Sequence, residues 1–467
     1  MTPTAPERVL TISGTPLDLI AAWPRARPLL LLHAGGATAG RWSRWTIATT
    51  PEGWFTFNGR SHLTPDAIGG RHPVPLTHDP LRDLNRILER TRRPGPAETV
   101  LPFAGGWVGY LSYDLGRDVE PAARAHPGAL DTRGWPRVQL ARCRSGLVYD
   151  HERETWYGFG PTDLAAELDE TAPPPPATVA VTGFASSLEP EAYLRAVART
   201  KQLIAAGDIF QANITQRITT TFHGSVRGLA RRALATSRAW YGAMLELPGH
   251  RAIVSMSPEL FLELDGATRR LVTRPIKGTR PAEDTPEELL ASDKDTAELN
   301  MIVDLMRNDL GRVCTFGSVR VPTERIIESH PTVHHGVGEV HGVLRPTATR
   351  GDLLAATFPG GSITGAPKIR AMQIIDELEP VERGPYCGSI GFFGDDGSVR
   401  LNIAIRTICL SGLTPAGPGL TQGVLDYGVG GGIVADSDPR GEHRESLDKA
   451  TVLRLVLDAS RPAAAGV

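Results

Sequence analysis

The alternation of apolar and polar residues predicts short strands along the first third of the chain. Glycine and proline separate the apolar runs, which include RPLLLLHAGG, WTIATT, WFTFNG and FAGGWVGYLSYDLGR. This pattern is typical of an antiparallel sheet with few helices, and we expect it to extend to about Arg144. Gly105, Gly106 and Gly109 stand among aromatic residues, which indicates close backbone packing within a core.

Helical periodicity begins after residue 187. Apolar residues recur at helical spacing over residues 188–207, which predicts an amphipathic helix that ends at Gly207. The run IFQANITQRITTTF then alternates as a strand does. Residues 285–310 predict one long helix, or a helix with a break, that ends at Gly311. Four consecutive prolines at residues 173–176 favour an extended linker, so we divide the chain near residue 185.

Composition places the chain among globular proteins with a sizeable core. Of the 467 residues, 41% are hydrophobic and 22% are charged, and the formal net charge is -2. This charge gives no electrostatic attraction for nucleic acid or for an anionic membrane surface, so we expect a small-molecule substrate. The amino-terminal stretch lacks the features of a signal peptide, and no stretch is long and apolar enough to predict a membrane span.

The four cysteines predict neither a disulfide framework nor a zinc site. Cys143, Cys314, Cys387 and Cys409 are far apart, and the sequence has no CxxC pair and no histidine at zinc-ligand spacing. This usage suits a reducing cytoplasm, which is the location we expect. None of the four lies in a glycine-flanked turn that would expose a nucleophile, so the sequence shows no glutaminase motif.

One lysine follows a β-branched run and a proline. In LVTRPIKGTR, residues 271–280, we expect a strand that stops at a tight loop, and this loop presents the amine of Lys277. Taken alone, such a lysine is more often a solvated surface residue. Carboxylates and glycine-rich stretches elsewhere in the chain favour a role in chemistry.

Glu259 is a candidate general acid. It follows Pro258 and lies between the apolar residues Met256 and Leu260, so burial would raise the pKa of its carboxyl. A glutamate at the edge of a strand that faces water fits the same local sequence. The environment alone does not separate these two interpretations.

Three more glutamates indicate a metal site. Glu298 borders the apolar stripe of the predicted helix over residues 285–310, where an unpaired buried carboxylate would cost several kcal/mol. Glu442, Glu445 and Lys449 have the spacings i, i+3 and i+7, so on a helix they lie within an arc of roughly 60°. Ion pairs on a solvent-exposed face give the same spacing, but the preceding strand and turn would project this helix into a cleft. Oxygen ligands without thiols favour Mg2+ over zinc.

Two glycine-rich stretches do not match nucleotide-binding motifs. GGSITGAPK has Ala366 in place of the P-loop lysine, and Ile433 interrupts the GxGxxG spacing that begins at Gly428. Bare backbone amides still bind a carboxylate. Arg406 lies in IAIRTICL, which we expect to be an apolar strand, and an arginine there needs an anionic partner.

These segments, in this order, resemble the chorismate-utilising enzymes, a family that holds anthranilate synthase component I, aminodeoxychorismate synthase component I, and isochorismate and salicylate synthases. The resemblance covers residues 187–457 and rests on SPE, PIKGT, DTAELNMIVDLMRNDLGR, FPGGSITGAPKIRAM and GVGGGIVADSDPRGEHRESLDKA. It implies an α+β fold, a two-layer antiparallel β sandwich with surrounding helices. Residues 1–185 would form an amino-terminal subdomain packed on a chorismate-binding catalytic core at residues 186–460.

The resemblance also implies roles for individual residues. The ring carboxylate of the substrate would be held by a bound Mg2+, and its second carboxylate by side chains of the core. The catalytic residues would be Lys277, Glu259, His335 and Thr364, the substrate-binding residues Gly278, Thr279, Tyr386, Arg406, Gly430, Gly431, Gly432 and Lys449, and the metal ligands Glu298, Glu442 and Glu445.

Two side chains favour the branch of the family that uses ammonia. PIKGT with a lysine resembles aminodeoxychorismate synthase, since anthranilate synthases carry an alanine at that position. Gln211 stands where isochorismate and salicylate synthases place a lysine that activates water, and a neutral amide cannot take a proton from water near pH 7. The expected reaction is amination of chorismate at C4 through a covalent intermediate on Lys277. The alternatives are anthranilate synthase component I and a non-catalytic ligand-binding homologue.

The same resemblance implies the partners. Chorismate and ammonia would be the substrates, and a separate glutamine amidotransferase subunit would supply the ammonia. A further enzyme would release pyruvate from the product, 4-amino-4-deoxychorismate, to give 4-aminobenzoate. No nucleic-acid or membrane partner is expected.

We predict that tryptophan does not bind this chain as a regulator. In the relatives a feedback tryptophan contacts a serine in an LLES-like motif and a Pro-Tyr-Met stretch. This chain has Ala34 at the serine position, and Trp240, Tyr241 and Gly242 at the second position. Both changes remove expected contacts. Titration calorimetry with tryptophan should show no saturable heat, and binding in the micromolar range would contradict the prediction.

Overall fold

The computed structural model describes residues 7–35, 37–68, 74–93, 101–124, 133–176, 179–281, 283–329 and 333–458. Within these ranges the chain forms 23 strands, 12 in one large sheet and 11 in another. The strands are β1 (Arg8–Leu10), β2 (Leu30–His33), β3 (Trp45–Thr49), β4 (Gly53–Phe57), β5 (Ser61–Leu63), β6 (Gly106–Leu111), β7 (Val138–Cys143), β8 (Gly146–Asp150), β9 (Thr155–Phe159), β10 (Val179–Ser186), β11 (Gln211–Gly224), β12 (Tyr241–Leu247), β13 (Arg251–Ser257), β14 (Leu260–Leu264), β15 (Arg270–Arg274), β16 (Ile276–Pro281), β17 (Arg320–Ser329), β18 (Val333–Val343), β19 (Gly365–Ala366), β20 (Ser389–Gly394), β21 (Val399–Asn402), β22 (Thr407–Gly417) and β23 (Leu420–Ile433).

Helices cover the outer faces of these sheets. They are α1 (Pro16–Ala22), α2 (Pro80–Thr91), α3 (Gly116–Val119), α4 (Pro190–Ala205), α5 (Val226–Ser237), α6 (Pro286–Leu290), α7 (Asp293–Gly311), α8 (Arg350–Thr357), α9 (Lys368–Leu378), α10 (Pro439–Asp448) and α11 (Thr451–Leu457). Among the described residues no helix is both long and apolar enough to cross a lipid bilayer.

Both sheets are antiparallel throughout their described pairings. The first sheet has the strand order β1, β9, β8, β3, β2, β12, β13, β22, β23, β11, β10, and β19 pairs with β11. The second has the order β16, β18, β15, β14, β21, β20, β6, β7, β4, β5, and β17 pairs with β18. The predicted α+β class with a two-layer antiparallel architecture is confirmed.

The sheets face each other across a shared apolar core. Leu30 and Ile253 of the first sheet pack with Val108, Ile390 and Phe392 of the second. The outer face of the first sheet packs on helices α1, α5 and α11, and helices α2, α7, α8 and α9 contribute to a second large core. Because strand side chains alternate between faces, strands with a core on both sides are almost continuously apolar, as in the buried strand β6.

Strand pairing crosses the predicted division near residue 185 in both sheets. β2 pairs with β12, so His33 lies opposite Gly242, and β6 pairs with β20. The two segments that depart from the tryptophan-binding pattern therefore lie side by side. Residues 173–176 form neither helix nor strand. The division into an amino-terminal subdomain and a catalytic core stays a prediction, and the two parts share both sheets.

Several predicted elements are confirmed. Helix α4 and strand β11 lie where periodicity placed them. The helix predicted over residues 285–310 takes its broken form, because α6 ends at Leu290 and Ser292 begins α7 with a side-chain cap on the amide of Asp295. Helix α2 was missed, although its Leu84 and Ile87 are buried.

Candidate active site

The predicted site residues lie where the edge of the second sheet meets the first sheet. β16 is the edge strand, and its neighbours across the gap are β11 and β23. Helix α7 supplies Glu298, and α10 follows directly after β23. The loop that ends in β19 closes the site, because Gly365 pairs with Ala212 of β11.

Lys277 lies within strand β16, so the expected tight loop is wrong. The chain breaks between β15 and β16 at Pro275 alone, and both strands pair with β18. The register shifts between Ile276 and Thr279, and Gly278 has a φ of 82°, a conformation that favours glycine. These features form a β-bulge, which redirects a side chain without ending the strand.

The amine of Lys277 lies among groups from three elements. Its Nζ is 3.6 Å from Oε2 of Glu298 on α7. A Cβ placed on Gly432 of β23 would lie 2.8 Å from this Nζ and 2.6 Å from Nε2 of Gln211. Real Cβ atoms do not make contacts this short, so a side chain at position 432 would displace the ends of these two side chains.

Gln211 points its amide into this space. The side chain is fully buried, and neither of its amide atoms has a hydrogen-bond partner among the described residues. Leaving a buried polar group unpaired costs about 1–3 kcal/mol. The amide is therefore available to a ligand bound beside Lys277.

Glu259 is buried, so the solvent-facing alternative is wrong. It lies between β13 and β14 and is 4% exposed. Burial raises the pKa of its carboxyl to about 7, although a hydrogen bond with Ser362 and the charges of Lys277 and Arg406 act in the opposite direction. A carboxyl with this pKa is protonated in a substantial fraction of molecules at neutral pH, as a general acid must be.

His335 and Thr279 form one wall of the site. They lie opposite each other on β18 and β16, and Nδ1 of His335 is 2.9 Å from the hydroxyl of Thr279. Thr364, on the loop beside β11, is fully buried, and its hydroxyl donates to the carbonyl of Gly360 at 2.9 Å. This bond fixes the threonine within its loop.

Arg406 does not lie in a strand, contrary to the sequence prediction. It precedes β22 and has a φ of 50°, which is rare for a residue other than glycine. The physical reason is topological, because residues 403–406 carry the chain from β21 in the second sheet to β22 in the first. Burial lowers the pKa of Arg406, while Tyr427 and Glu259 raise it.

Tyr386, in the segment before β20, packs on β23 at Gly428. A Cβ on Gly428 would fall 2.1 Å from Cδ1 of Tyr386, so the ring packs directly on the backbone of this glycine. Burial raises the pKa of the Tyr386 hydroxyl well above its usual value. Its ring therefore contacts β23 two residues before Gly430.

Glu442 on α10 and Lys449 just after it reach the other face of the glycine strand, the part of β23 from Gly428 to Gly432. Oε2 of Glu442 lies 3.1 Å from the Cβ position of Gly431, and Nζ of Lys449 lies 3.7 Å from it. Lys449 also donates to the carbonyl of Gly430 at 2.8 Å and pairs with Glu445 at 3.0 Å. Glu442 is buried, whereas the side chain of Glu445 is 58% exposed. The two carboxylates therefore differ in environment.

Known proteins share this arrangement of sequence and fold. A protein-family model described as chorismate binding enzyme matches residues 38–454. The chain belongs to this family. Aminodeoxychorismate synthase component 1 of Klebsiella aerogenes is 36% identical over 435 residues, which cover 90% of this chain and 91% of that protein. Anthranilate synthase component 1 1 of Haloarcula marismortui is 40% identical over 396 residues, 77% of each chain.

A solved structure agrees with the assignment to this family of chorismate-utilising enzymes. The crystal structure of anthranilate synthase component I from Streptococcus pneumoniae TIGR4 has a TM-score of 0.73 and 29% sequence identity. The alignment covers 88% of this chain and 92% of that chain. The resemblance to chorismate-utilising enzymes that the motifs predicted is confirmed.

Enzymes of the chorismate-binding family are generally magnesium-dependent. Carboxylate oxygens suit Mg2+ in chemical type. The described residues contain no group of three or more Asp, Glu, His or Cys side chains arranged to hold an ion. Glu298 lies near Lys277, and Glu442 accepts a hydrogen bond from Ser437 at 2.6 Å. The carboxylate oxygens of the predicted ligands fit Mg2+ in chemical type. To bind one ion together, Glu298 would have to leave Lys277, and Glu442 would have to leave Ser437.

Some residues of the site were missed in the sequence. Gln211 entered only as a mark of the subfamily, yet its buried amide lies beside Lys277. Ser362 bonds Glu259, and it stands in the loop FPGGSITGAPKIRAM, which the resemblance had already singled out. Ser437, which donates a hydrogen bond to Glu442, lies in the turn before α10, and no sequence motif pointed to it.

We predict that Glu259→Gln changes the pH dependence of stability. The pKa of Glu259 is about 7 in the folded chain against a usual value of 4.5, so the folded state holds the proton more tightly. Wild-type stability therefore falls as pH rises between these values. Since each pKa unit is worth about 1.36 kcal/mol, the wild type should lose roughly 2 to 3 kcal/mol between pH 5 and pH 8 that the glutamine variant keeps.

Urea unfolding at pH 5 and pH 8 measures this difference. Glu288→Gln, at an exposed position of α6, is the matched control and should follow the wild type. If Glu259→Gln and the wild type show the same change of unfolding free energy with pH, Glu259 is not the group that titrates near neutrality.

Proposed function

We propose that the chain catalyses the amination of chorismate at C4, which yields 4-amino-4-deoxychorismate and water. The observation that carries the proposal is the amine of Lys277 at 3.6 Å from Glu298, beside the amide of Gln211 and the backbone of Gly432. The relative from Klebsiella aerogenes named aminodeoxychorismate synthase component 1 covers 90% of the chain, which supports the same branch.

The proposed chemistry proceeds through a covalent intermediate. The unprotonated amine of Lys277 attacks C2 of chorismate, the ring double bonds shift, and the C4–O bond breaks. Glu259 gives its proton to the departing hydroxyl, which leaves as water. Ammonia then forms the bond to C4, the double bonds shift back, and the C2–N bond to Lys277 breaks. The new C4 nitrogen loses one proton, which returns to Glu259. The net result is exchange of one hydroxyl for one amine.

Burial suits Glu259 to this role. A carboxyl with a pKa of about 7 carries its proton in about half of the molecules at neutral pH and still releases it readily to an oxygen leaving group. The charge of Arg406 is near enough to Glu259 to lower the pKa of its carboxyl, so both groups belong to one site.

Two carboxylates of the substrate need partners in this site. We assign one to Arg406 and Tyr386 together with the backbone amides of residues 430–432, because the partly buried guanidinium of Arg406 favours an anionic partner. Mg2+ held by Glu298, Glu442 and Glu445 would supply positive charge for the other carboxylate when bound. Lys449, which lies against Gly430, adds a further positive group at this end.

Gln211 supports ammonia rather than water as the nucleophile. Its neutral amide offers hydrogen bonds to ammonia but cannot remove a proton from water near pH 7, and its amide atoms lack partners among the described residues. The designation component 1 of the relatives supports a second subunit, and we propose a glutamine amidotransferase as the source of ammonia.

Anthranilate synthase component I is the second candidate function. The Haloarcula marismortui relative, at 40% identity, and the Streptococcus pneumoniae structure favour it. Both candidate reactions use chorismate and ammonia, and they differ in the carbon that receives the nitrogen and in the loss of pyruvate. Product analysis therefore separates them.

The test of the proposed function is a product assay. Purified chain is incubated with chorismate, Mg2+ and a high ammonium concentration at mildly alkaline pH, with and without added aminodeoxychorismate lyase. We expect 4-aminobenzoate only when the lyase is present. Fluorescent anthranilate without the lyase would identify an anthranilate synthase, and no turnover would identify a non-catalytic homologue.

We predict that Lys277→Ala and Lys277→Arg both lower kcat by on the order of 100-fold or more, the loss typical for removal of a catalytic group. Arginine keeps the positive charge beside Glu298 but stays protonated, so it cannot attack C2. The same ammonium-dependent assay measures both variants. Near wild-type rates in Lys277→Arg would show that the charge alone is needed, and would remove the nucleophile assignment.

A further inference from the structure

A buried ion pair lies behind the proposed site. Glu379 follows the last residue of α9, Arg383 stands four residues later, and their side chains are 5% and 2% exposed. Nε of Arg383 donates to Oε2 of Glu379 at 2.9 Å, and Nη2 donates to Oε1 at 2.6 Å. This bidentate, charge-assisted geometry fixes the plane of the guanidinium.

The other hydrogen bonds of Arg383 reach the backbone of two site segments. Nη1 donates to the carbonyl of Ile363 at 2.8 Å, in the residue before Thr364. Nη2 also donates to the carbonyl of Asn213 in β11, at 2.5 Å. The amide of Asn213 donates in turn to the carbonyl of Thr364 at 2.8 Å. The guanidinium therefore joins the Thr364 loop to β11.

Glu379 holds the same strand at a second point. Its Oε1 accepts hydrogen bonds from the backbone amide of Thr215 at 2.8 Å and from the Thr215 hydroxyl at 3.0 Å. Because side chains alternate along a strand, Thr215 shares its face of β11 with Gln211. The ion pair thus holds the strand two and four residues after the amide that lies beside Lys277.

Empty space flanks the ion pair on two sides. Two small cavities, of about 20 Å3 and about 10 Å3, share Glu379, Val381 and Arg383 in their walls. Most buried side chains are fixed by dense packing, and a cavity removes those contacts. The ring of Tyr113 lies 4.3 Å from the guanidinium carbon and supports one side. The hydrogen bonds of Arg383 and its contact with Tyr113 therefore fix its position together.

We infer that the Arg383–Glu379 pair positions Gln211 and Thr364 for the attack of ammonia on the substrate. The inference rests on the proposed amination. Both residues act through the backbone segments that they hold, and so they are positioning residues. A lysine at position 383 keeps the charge, but it lacks the planar fork that binds one carboxylate and two carbonyls together.

The test is steady-state kinetics of Arg383→Lys in the whole chain, with ammonium chloride and chorismate as substrates. We expect kcat/KM for ammonia to fall on the order of 100-fold, the effect of a misplacement of about 1 Å in an active site. Chorismate affinity, measured by equilibrium dialysis, should change little, because Lys277, Arg406 and α10 lie on other segments and the ring of Tyr386 is held by its packing on Gly428.

Arg142→Lys is the matched control. Arg142 forms a bidentate pair with Asp395, with both bonds at 2.7 Å, and donates to the carbonyl of Gly106 at 3.0 Å. It lies on β7, seven strands from β16 in the same sheet. This variant should lose thermal stability as Arg383→Lys does, and should keep wild-type kinetics per folded molecule.

Two outcomes would overturn the inference. One is an unchanged kcat/KM for ammonia in folded Arg383→Lys, and the other is an equal loss in Arg142→Lys.

If Arg383→Lys does not fold, Thr215→Val is tested instead. It removes only the 3.0 Å hydroxyl bond to Glu379, so it should lower kcat/KM for ammonia by a smaller factor, and an unchanged value would overturn the inference. Absence of product from the wild-type chain would instead overturn the proposed function.

Discussion

The lack of a side chain at Gly432 is the constraint on which the site depends. Lys277 comes from the second sheet and Gln211 from the first, and both reach the space where a Cβ of residue 432 would lie. The same applies at Gly365, where a Cβ would lie 2.1 Å from the carbonyl oxygen of Gln211. Glycines thus let three backbones approach more closely than ordinary strands do. The glycine-rich run of β23 is a thin wall between α10 and Lys277.

Close approach of the backbones excludes water, and exclusion of water sets the electrostatics. Glu259 is buried and Arg406 is partly buried, and burial raises the pKa of the carboxyl and lowers the pKa of the guanidinium. Gln211 is buried with an amide whose atoms lack partners among the described residues, and Arg406 takes a left-handed backbone conformation. Each of these features costs folding free energy. Such violations of folding rules are expected at functional sites, where a ligand supplies the missing interactions.

The features that depended on local periodicity could be predicted from the sequence. Helix α4, strand β11 and the buried stripe of α7 beside Glu298 follow from the spacing of apolar residues. The bulge at Lys277 and the bend at Arg406 depend on pairing with distant strands and on the crossing between sheets, which no local pattern records. The Arg383–Glu379 pair has the spacing of an ordinary surface pair, and its burial comes from tertiary packing.

Lysine is rare in this chain. Lysine and arginine together number 50, and five of these are lysines, so arginine supplies the other 45. Lys277 and Lys449 border the glycine strand, Lys201 donates to the carbonyl of Ser437 before α10, and Lys368 is buried against Asp309. Two of the five lysine amines therefore border β23, and a third lies at the turn before α10. An acylating reagent that modifies amines and spares guanidinium groups would consequently meet only five side chains in this chain, and Lys277 and Lys449 are two of them.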